Sequence, residues 1–340
     1  MIYEYELKDF IQTLNAEQKT QLLSILKRKK NSEPVSNLEE TRFSSGLFCP
    51  KCGCADKIVK KGFSTNRKQR YRCKDCLSIF TPTTNSFLSS TKKDINTWLK
   101  YIECMTRQLS IKKSSEICGI SIRTSFMWRH KILDSLRLSD KTELKGVIES
   151  DEAYFRVSYK GSEPVGRRSR RQGSSMFDKR KRGLSRDQVC VPCAIERETK
   201  STISKIGGLG KPSRQTIENV FSMKFKEKSI LCTDKESSYI KFSESLNIEH
   251  IQLKDFVSKK HIYHIQTINS FHSRLKDFMR TFNGVSTKHL NNYLIWNSVI
   301  SENSSRNTES FIIDKVWSQG LQNIGTTLYK DVSSRKSIPL

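Results

Sequence analysis

The fold of this chain is decided by the stretch GVIESDE at residues 146–152, in which a β-forming apolar run ends in a cluster of acids. A second stretch, SILCTD at residues 229–234, ends in the same way. A carboxylate at the end of a buried strand is costly unless a cation accompanies it. If both strands enter one sheet, Asp151 and Asp234 are predicted to form an oxygen-lined site suited to Mg²⁺. Taken alone, each Asp is also consistent with a turn or helix cap.

A third segment, residues 261–276, predicts a polar helix. Asn269, His272 and Lys276 are spaced so that they share one face of such a helix. Another face can be formed by Ile265, Ile268 and Leu275. Two histidines of this segment, His264 and His272, are interpreted as packing or hydrogen-bonding residues.

Together these residues resemble the catalytic core of DDE-type insertion-sequence transposases. They resemble most the ISXO group, which has an N-terminal zinc ribbon and is related to the eukaryotic Merlin elements. That group accepts Asn at the third acidic position, giving the order Asp-Asp-Asn-Lys, which corresponds here to Asp151, Asp234, Asn269 and Lys276. The resemblance extends over most of residues 45–300 and includes the stretch FNGVSTK that begins at Phe282 and ends at Lys288.

The resemblance implies a cut-and-paste transposase that binds terminal inverted repeats, cleaves DNA and transfers the strand to target DNA. It implies two catalytic Mg²⁺ or Mn²⁺ ions held by Asp151, Asp234 and Asn269, with Lys276 on a DNA phosphate. We also expect a homo-oligomer. Asn269 is the weakest of the ligands, because an amide oxygen brings no charge, and Glu149, Glu152 or a phosphate oxygen are the alternatives.

An α/β, ribonuclease-H-like catalytic domain also follows from the predicted order of elements. After the first strand, the pattern of apolar and polar residues predicts two more strands and then alternating helices and strands. The predicted strands are 188–196, 201–207, 230–233 and 249–253, and the predicted helices are 212–225, 236–246, 263–282 and 287–300.

The strongest local motif is a pair of Cys-x₂-Cys knuckles, formed by Cys49, Cys52, Cys73 and Cys76. Two such knuckles on β-hairpins supply four thiolates in the tetrahedral arrangement that Zn²⁺ prefers, so we predict one structural zinc ion. Cys54 is interpreted as a non-ligand. The pair Cys190 and Cys193 falls within a predicted strand, where residues three apart face opposite sides, and indicates two buried thiols.

A helix-turn-helix is predicted around the stretch SSEICGIS at residues 114–121. The second helix would present Arg123, Thr124, Ser125 and Arg129 to DNA. The alternative is an ordinary helical hairpin.

The charge balance favours a polyanionic partner, because 61 Lys and Arg face 35 Asp and Glu, a net charge of +26. No stretch of the sequence is long and apolar enough to cross a membrane. Ten cysteines without a recognisable secretion signal predict a reducing compartment, so we expect a cytoplasmic, nucleoid-associated bacterial protein.

The catalytic domain is predicted to contain a basic insertion, residues 156–187. Its arginines are predicted to hold DNA phosphates without reading sequence: Arg167, Arg168, Arg170 and Arg171. The alternative is a run that is merely solvated. The predicted domains are a helical N-terminal segment and linker at 1–45, a zinc ribbon at 46–85, a helix-turn-helix region at 90–140, the catalytic domain at 145–302 and a tail at 303–340.

Two other functions compete with transposition. A DNA-binding regulator without catalysis explains the ribbon, the helix-turn-helix and the charge, but not two acidic strand ends. The second alternative is a host nuclease of ribonuclease-H-like fold that takes no part in transposition. Inverted repeats flanking the gene, with short target duplications outside them, would distinguish the transposase.

Overall fold

A computed structural model describes residues 12–19, 38–65, 67–161, 188–234, 237–253, 262–301, 309–322 and 325–336. The chain divides into two compact units between Pro82 and Thr83. Of the helices predicted in the N-terminal segment, only residues 12–19 belong to the described part, and they are largely helical. The rest of that prediction lies outside the described residues.

The first unit contains a short helix and a three-stranded antiparallel sheet. The helix α1 is Leu38–Arg42, and the strands, in spatial order, are β1 (Ile58–Phe63), β2 (Gln69–Cys73) and β3 (Ile79–Phe80). The rings of Tyr71 and Phe80 stack at 5.5 Å in a small core that also contains Cys49 and Cys73.

The second unit begins with three helices: α2 (Ile95–Thr106), α3 (Ile111–Cys118) and α4 (Ile122–Ser139). Each helix is preceded by an N-cap residue whose side chain accepts a hydrogen bond from a backbone N–H group of the first turn. These residues are Asp94, Ser110 and Ser121. Gly119 ends α3 at φ +59°, a left-handed conformation that glycine adopts without strain. The three-residue connection at 119–121 gives the predicted helix, turn and helix, whereas its role in binding DNA stays a prediction.

The larger sheet has six strands: β4 (Val147–Arg156), β5 (Gln188–Glu196), β6 (Thr202–Ser204), β7 (Gly208–Leu209), β8 (Ile230–Thr233) and β9 (Glu249–Gln252). Their spatial order is β6-β5-β4-β8-β9, with the short β7 also paired to β5. Strands β4, β5 and β6 are antiparallel, and β8 and β9 run parallel to β4. This order confirms the ribonuclease-H-like α/β fold.

Helices cover both faces of this sheet. On one face, α5 (Arg214–Phe221) and α6 (Ser237–Leu246) pack on buried residues such as Ile148 and Leu231. On the other face lie α7 (Gln266–Thr281) and α8 (Leu290–Ser301), the second preceded by a 3₁₀ turn, Thr287–His289. Because strand residues alternate between faces, neighbouring residues of β4 meet different helices.

The prediction that Asp151 ends its strand is wrong. The antiparallel ladder between β4 and β5 runs from Ile148 opposite Glu196 to Arg156 opposite Gln188, so Asp151 lies mid-strand. The parallel partner β8 pairs with β4 only as far as Glu149. Asp151 therefore lies just beyond the end of its parallel neighbour, although its own strand continues.

The C-terminal region packs on the helices of the second unit. Helix α9 (Glu309–Gln322) and the short α10 (Tyr329–Ser333) contact α4, and α9 also contacts α2. Trp317 of α9 makes an edge contact with Phe87, with ring centroids 5.7 Å apart. Within the described ranges, no helix combines the length and apolar character that a bilayer span requires.

Candidate active site

Strand register brings Asp151 and Asp234 together. The parallel ladder pairs Val147 with Ile230, Ile148 with Leu231 and Glu149 with Cys232. Extending that register by two residues places Asp151 opposite Asp234, immediately beyond the last residue of β8. Two carboxylates at this position are the arrangement that the sequence predicted, reached by a different strand geometry.

The surroundings of the Asp151 carboxyl disfavour its ionised form. Burial, assisted by the charge of Asp234 and opposed by that of Lys276, raises the pKa of Asp151 to about 6. The same interactions place Lys276 within electrostatic range of the acid pair. Such a site favours a bound cation, because a cation offsets both the burial and the repulsion.

Helix α7 crosses the sheet beside the acids. His272 Nδ1 lies 3.6 Å from Asp151 Oδ2, slightly beyond hydrogen-bond distance. Burial, with the charge of Lys276, lowers the pKa of His272 to about 4, so the imidazole is neutral at pH 7. Asn269 and Lys276, one turn on either side of His272, are exposed. Among the described residues, the Asn269 side chain makes no hydrogen bond to either carboxylate, so its metal-binding role stays a prediction.

Glu149, two residues before Asp151 on the same face of β4, is fully buried and fully partnered. Its Oε1 accepts a 2.9 Å hydrogen bond from Arg197 Nε, and a second Arg197 nitrogen lies 2.9 Å from the same oxygen. Its Oε2 accepts the backbone N–H groups of Thr267 at 2.8 Å and Ile268 at 3.1 Å. His264 Nδ1 lies 3.3 Å from Oε1. The carboxylate is therefore saturated.

These bonds make Glu149 the cap of α7. The helix begins after Ile265, which supplies no side-chain hydrogen bond, and its second and third N–H groups are satisfied by the distant Glu149 instead. Arg197 also donates to the carbonyls of Ile262 and His264, at 2.9 and 3.1 Å. One ion pair thus fixes the start of the helix that carries Asn269, His272 and Lys276.

Glu152 faces the opposite side of the sheet. Its Oε1 accepts a 2.6 Å hydrogen bond from the Tyr239 hydroxyl of α6, which also lies 3.1 Å from the hydroxyl of Ser150. Neither alternative acid is therefore well placed as a third metal ligand, since Glu149 is occupied by the α7 cap and Glu152 points toward α6. The sequence identified both acids, but it gave no signal for their opposite partners.

In the first unit, the four predicted cysteines form one cluster. The Sγ atoms of Cys49, Cys52, Cys73 and Cys76 all lie within 4.8 Å of one another. Cys49 and Cys76 are 3.6 Å apart, and Cys52 and Cys73 are 3.7 Å apart. Cys54 is outside the cluster, as predicted. In the second unit, Cys190 and Cys193 are the two buried thiols that the strand pattern indicated.

The four residues assigned to DNA on α4 divide into two pairs. Arg123 is exposed and Thr124 half-buried near the start of the helix. Ser125 and Arg129 are buried: Ser125 Oγ donates to the Ile111 carbonyl, and an Arg129 Nη donates to the Leu109 carbonyl at 2.7 Å. These two side chains lie on the buried face of α4, where they hold α3 against it. They are therefore not available to DNA bases.

The basic insertion lies largely outside the described residues, including all four arginines assigned to phosphates: Arg167, Arg168, Arg170 and Arg171. Its first residues are described. The backbone of Ser158 exchanges hydrogen bonds with Thr287, and Lys160 donates to the Asn283 carbonyl at 3.2 Å. The FNGVSTK stretch thus holds the chain as it leaves β4.

Comparison with protein families gives two matches. Residues 143–295 match the ISXO2-like transposase domain, and residues 44–77 match the InsA N-terminal domain, a zinc ribbon. One curated relative, an uncharacterized protein in transposable element ISH50 of Halobacterium salinarum, is 28% identical over 127 residues. That alignment covers 37% of this chain and 42% of the relative, less than half of its length.

Solved structures of integrases and transposases share low similarity with the chain. The magnesium complex of the HTLV-2 integrase catalytic core, in its dimeric form, has a TM-score of 0.28 and 8% identity, covering 45% of this chain and 86% of that one. The pre-cleavage Mos1 transpososome has a TM-score of 0.21 and 8% identity, covering 71% of this chain and 82% of that one. Similarity at this level carries no information about activity.

Proposed function

We propose that this chain, which carries an ISXO2-like transposase domain behind a zinc ribbon of the InsA type, is the transposase of an insertion sequence. It binds the terminal inverted repeats of its element, cleaves DNA there and transfers the cut strand to target DNA. The observation that supports this most is the register that sets Asp151 beside Asp234 inside the matched domain.

The residues present fit a divalent metal centre. Two adjacent carboxylates, one of them buried enough to raise its pKa, form a donor set that a hard cation would stabilise. Asp151, Asp234 and Asn269 would hold two Mg²⁺ or Mn²⁺ ions. When bound, such ions would supply the charge that activates an attacking water or DNA 3′-hydroxyl and stabilises the leaving oxygen.

The side chains of α7 complete the site. Lys276 is exposed and within electrostatic range of the acids, so it can bind a DNA phosphate beside the scissile bond. Neutral His272 covers the α7 side of the Asp151 carboxylate and adds no charge to it. The Glu149–Arg197 pair keeps both residues in place by fixing the first turn of their helix.

The cysteine cluster fits one structural Zn²⁺. Zinc–sulfur bonds of about 2.3 Å in a tetrahedron place the sulfurs roughly 3.8 Å apart, and two of the pairs measured here are at 3.6 and 3.7 Å. Cys73→Ser should lose the ion and unfold the ribbon, because metal binding there is folding energy. Metal analysis of the purified protein, with Cys54→Ser as the matched control, tests the assignment. Zinc retained by Cys73→Ser would contradict it.

DNA contacts divide between the two units. The exposed β1 hairpin, on which Phe63 is 67% exposed, and the Arg123 end of α4 are surfaces for the terminal repeats. Residues 156–187 add salt-sensitive phosphate contacts. Because two element ends must be joined, the chain acts as a homo-oligomer, and it does so on cytoplasmic DNA.

A cleavage assay on labelled repeat-end DNA, run across a Mg²⁺ titration, tests the proposal. Asp151→Asn and Asp234→Asn should lower cleavage on the order of 10³-fold or more, as for members of other catalytic sets, and leave repeat binding intact. Asp277→Asn is the matched control, since that side chain is exposed on α7. Wild-type protein that binds the repeats without cutting them would favour the regulator. Cutting without preference for repeat ends would favour the host nuclease.

A further inference from the structure

A cavity of about 630 Å³ lies in the second unit, away from the acid pair. The starts of α3 and α4, the Lys160 segment after β4, the end of α7 and Tyr329 of α10 surround it. Phe282 and Asn283 belong to the FNGVSTK stretch, to which the catalytic site assigns no role. From Asn269 to the last turn of α7 is about 18 Å, at 1.5 Å per residue. The cavity is therefore outside the reacting centre but on the helix that borders it.

The cavity is strongly basic. Lys112, Arg123, Arg129 and Lys160 line it, and none of its described lining residues is acidic. Arg129 is only 3% exposed, and no carboxylate within the described ranges lies at ion-pair distance from it. Its Nη group donates to Leu109 and Ser114, but its buried Nε has no hydrogen-bond partner. A buried cation without a counter-ion is costly, and an anion in this cavity would compensate it.

Aromatic rings occupy the same wall. Phe126, Phe282 and Tyr329 all line the cavity. The Arg123 guanidinium lies 4.4 Å from the centre of the Tyr329 ring, and the Arg129 guanidinium lies 5.9 Å from that of Phe282. Tyr329 is 52% exposed, so part of its ring is accessible to a ligand. Rings interleaved with cations are how proteins hold single-stranded nucleic acid, with bases on the rings and phosphates on the cations.

We propose that this cavity binds one unstacked base and an adjacent phosphate of single-stranded DNA. This inference rests on the proposed function, in that the chain acts on DNA, and it adds a second contact for a strand leaving the cleavage site. A base pair within a duplex is stacked on both faces, so an intact duplex cannot offer a base to Tyr329. An acidic peptide would satisfy the cations and leave the rings unused.

The test uses the full-length protein and an oligothymidine carrying one 5-iododeoxyuridine. Irradiation followed by peptide mapping should place the crosslink on Phe126, Phe282 or Tyr329. Tyr329→Ala should weaken oligothymidine binding roughly 5- to 150-fold, the value of one stacked base, and Tyr329→Phe should restore it. Lys112→Ala should reduce the slope of log affinity against log salt concentration by about 0.7. The control is Lys241→Ala, which replaces an exposed lysine on α6 and should leave that slope unchanged. Thermal melts confirm that each variant is folded.

Three results would overturn the proposal: crosslinks that map only elsewhere, a Tyr329→Ala variant that binds like wild type, or polyglutamate that competes as well as oligothymidine. Each of these results can be distinguished from a failure of the transposase assignment. If wild-type protein cuts repeat ends in the cleavage assay, loss of the cavity proposal leaves that assignment standing. A crosslink that maps to the cavity, in a protein that cuts no DNA, would support the cavity proposal and contradict the transposase assignment.

Discussion

Glu149 and Asp151 stand two residues apart on the same face of β4, and their surroundings are opposite. Glu149 is neutralised within the protein by Arg197 and by two backbone N–H groups of α7. Asp151 faces another acid, Asp234, and a neutral histidine. The difference separates a carboxylate that holds the fold from one that the fold leaves available for a metal. Both are acids in one short stretch, so residue type alone cannot distinguish them.

The largest effect on stability should follow from replacing Glu149, the carboxylate whose two oxygens both have hydrogen-bond partners. Glu149→Gln leaves the half-buried Arg197 guanidinium without its anion and weakens the α7 cap, which should lower the free energy of unfolding by about 3 kcal/mol, the lower end of the range for breaking a buried pair. Urea unfolding measures this, with Glu244→Gln, an exposed acid on α6, as the control. A loss below about 1 kcal/mol would mean that the ion pair is replaceable by solvent.

Removing the other acid should have the opposite sign. In metal-free protein at pH 7, Asp151→Asn removes a charge that burial and Asp234 both disfavour, so it should raise the free energy of unfolding by up to about 3 kcal/mol, the equivalent of its pKa shift. The same variant should be inactive in cleavage. If metal-free Asp151→Asn unfolds more easily than wild type, the contrast between the two carboxylates is incorrect.

A pH series sharpens the same contrast. The pKa of Asp151 is about 6 in the folded protein and near 3.8 when unfolded, so the folded state binds the extra proton between these values. The contribution of Asp151 to metal-free stability should therefore increase as pH falls from about 7 to 4. Equilibrium unfolding at several pH values, with Asp151→Asn as the reference, isolates this contribution. A difference between the two proteins that does not vary with pH would contradict it.

The smallest effects should come from the uncharged member of the site. Asn269→Asp adds a charge near the metals and should tighten Mg²⁺ several-fold, with some cleavage retained, whereas Asn269→Ala removes the oxygen and should weaken Mg²⁺ by roughly tenfold. The Mg²⁺ dependence of cleavage measures both. If Asn269→Ala behaves like wild type, the third oxygen comes from elsewhere. A DNA phosphate then fits better than Glu149 or Glu152, whose partners are described above.

Local patterns in the sequence predicted the fold well. The bounds of β5 and β8 agree with the prediction at both ends, because their apolar runs are flanked by polar residues. The sequence did not predict that Asp151 lies mid-strand. Strand β4 continues past the end of β8 because it pairs with β5, and that pairing is not visible in the sequence of β4 alone. Ser125 and Arg129 were misjudged for the same reason, since α3 and Phe282 decide which stripe of α4 is covered.

The candidate site was predictable in membership and less so in architecture. Asp234 and Lys276 lie close to Asp151 as the resemblance implied. Arg197, by contrast, lies one residue beyond the end of β5, and no local pattern connects it with Glu149 or with α7. His272 was visible from its spacing with Asn269 and Lys276, but its depressed pKa is a consequence of burial, which a helical pattern does not measure.

The unbroken β4–β5 ladder has a practical consequence for protein engineering. Register is fixed along the whole hairpin, from Ile148 opposite Glu196 to Arg156 opposite Gln188, and Asp151 lies inside it. The connection that joins these strands can therefore change in length or content without shifting the acid, because the ladder sets its position. An epitope or a fluorescent reporter grafted after Gly161 should therefore leave Asp151 in register, while it removes the phosphate contacts proposed for the insertion.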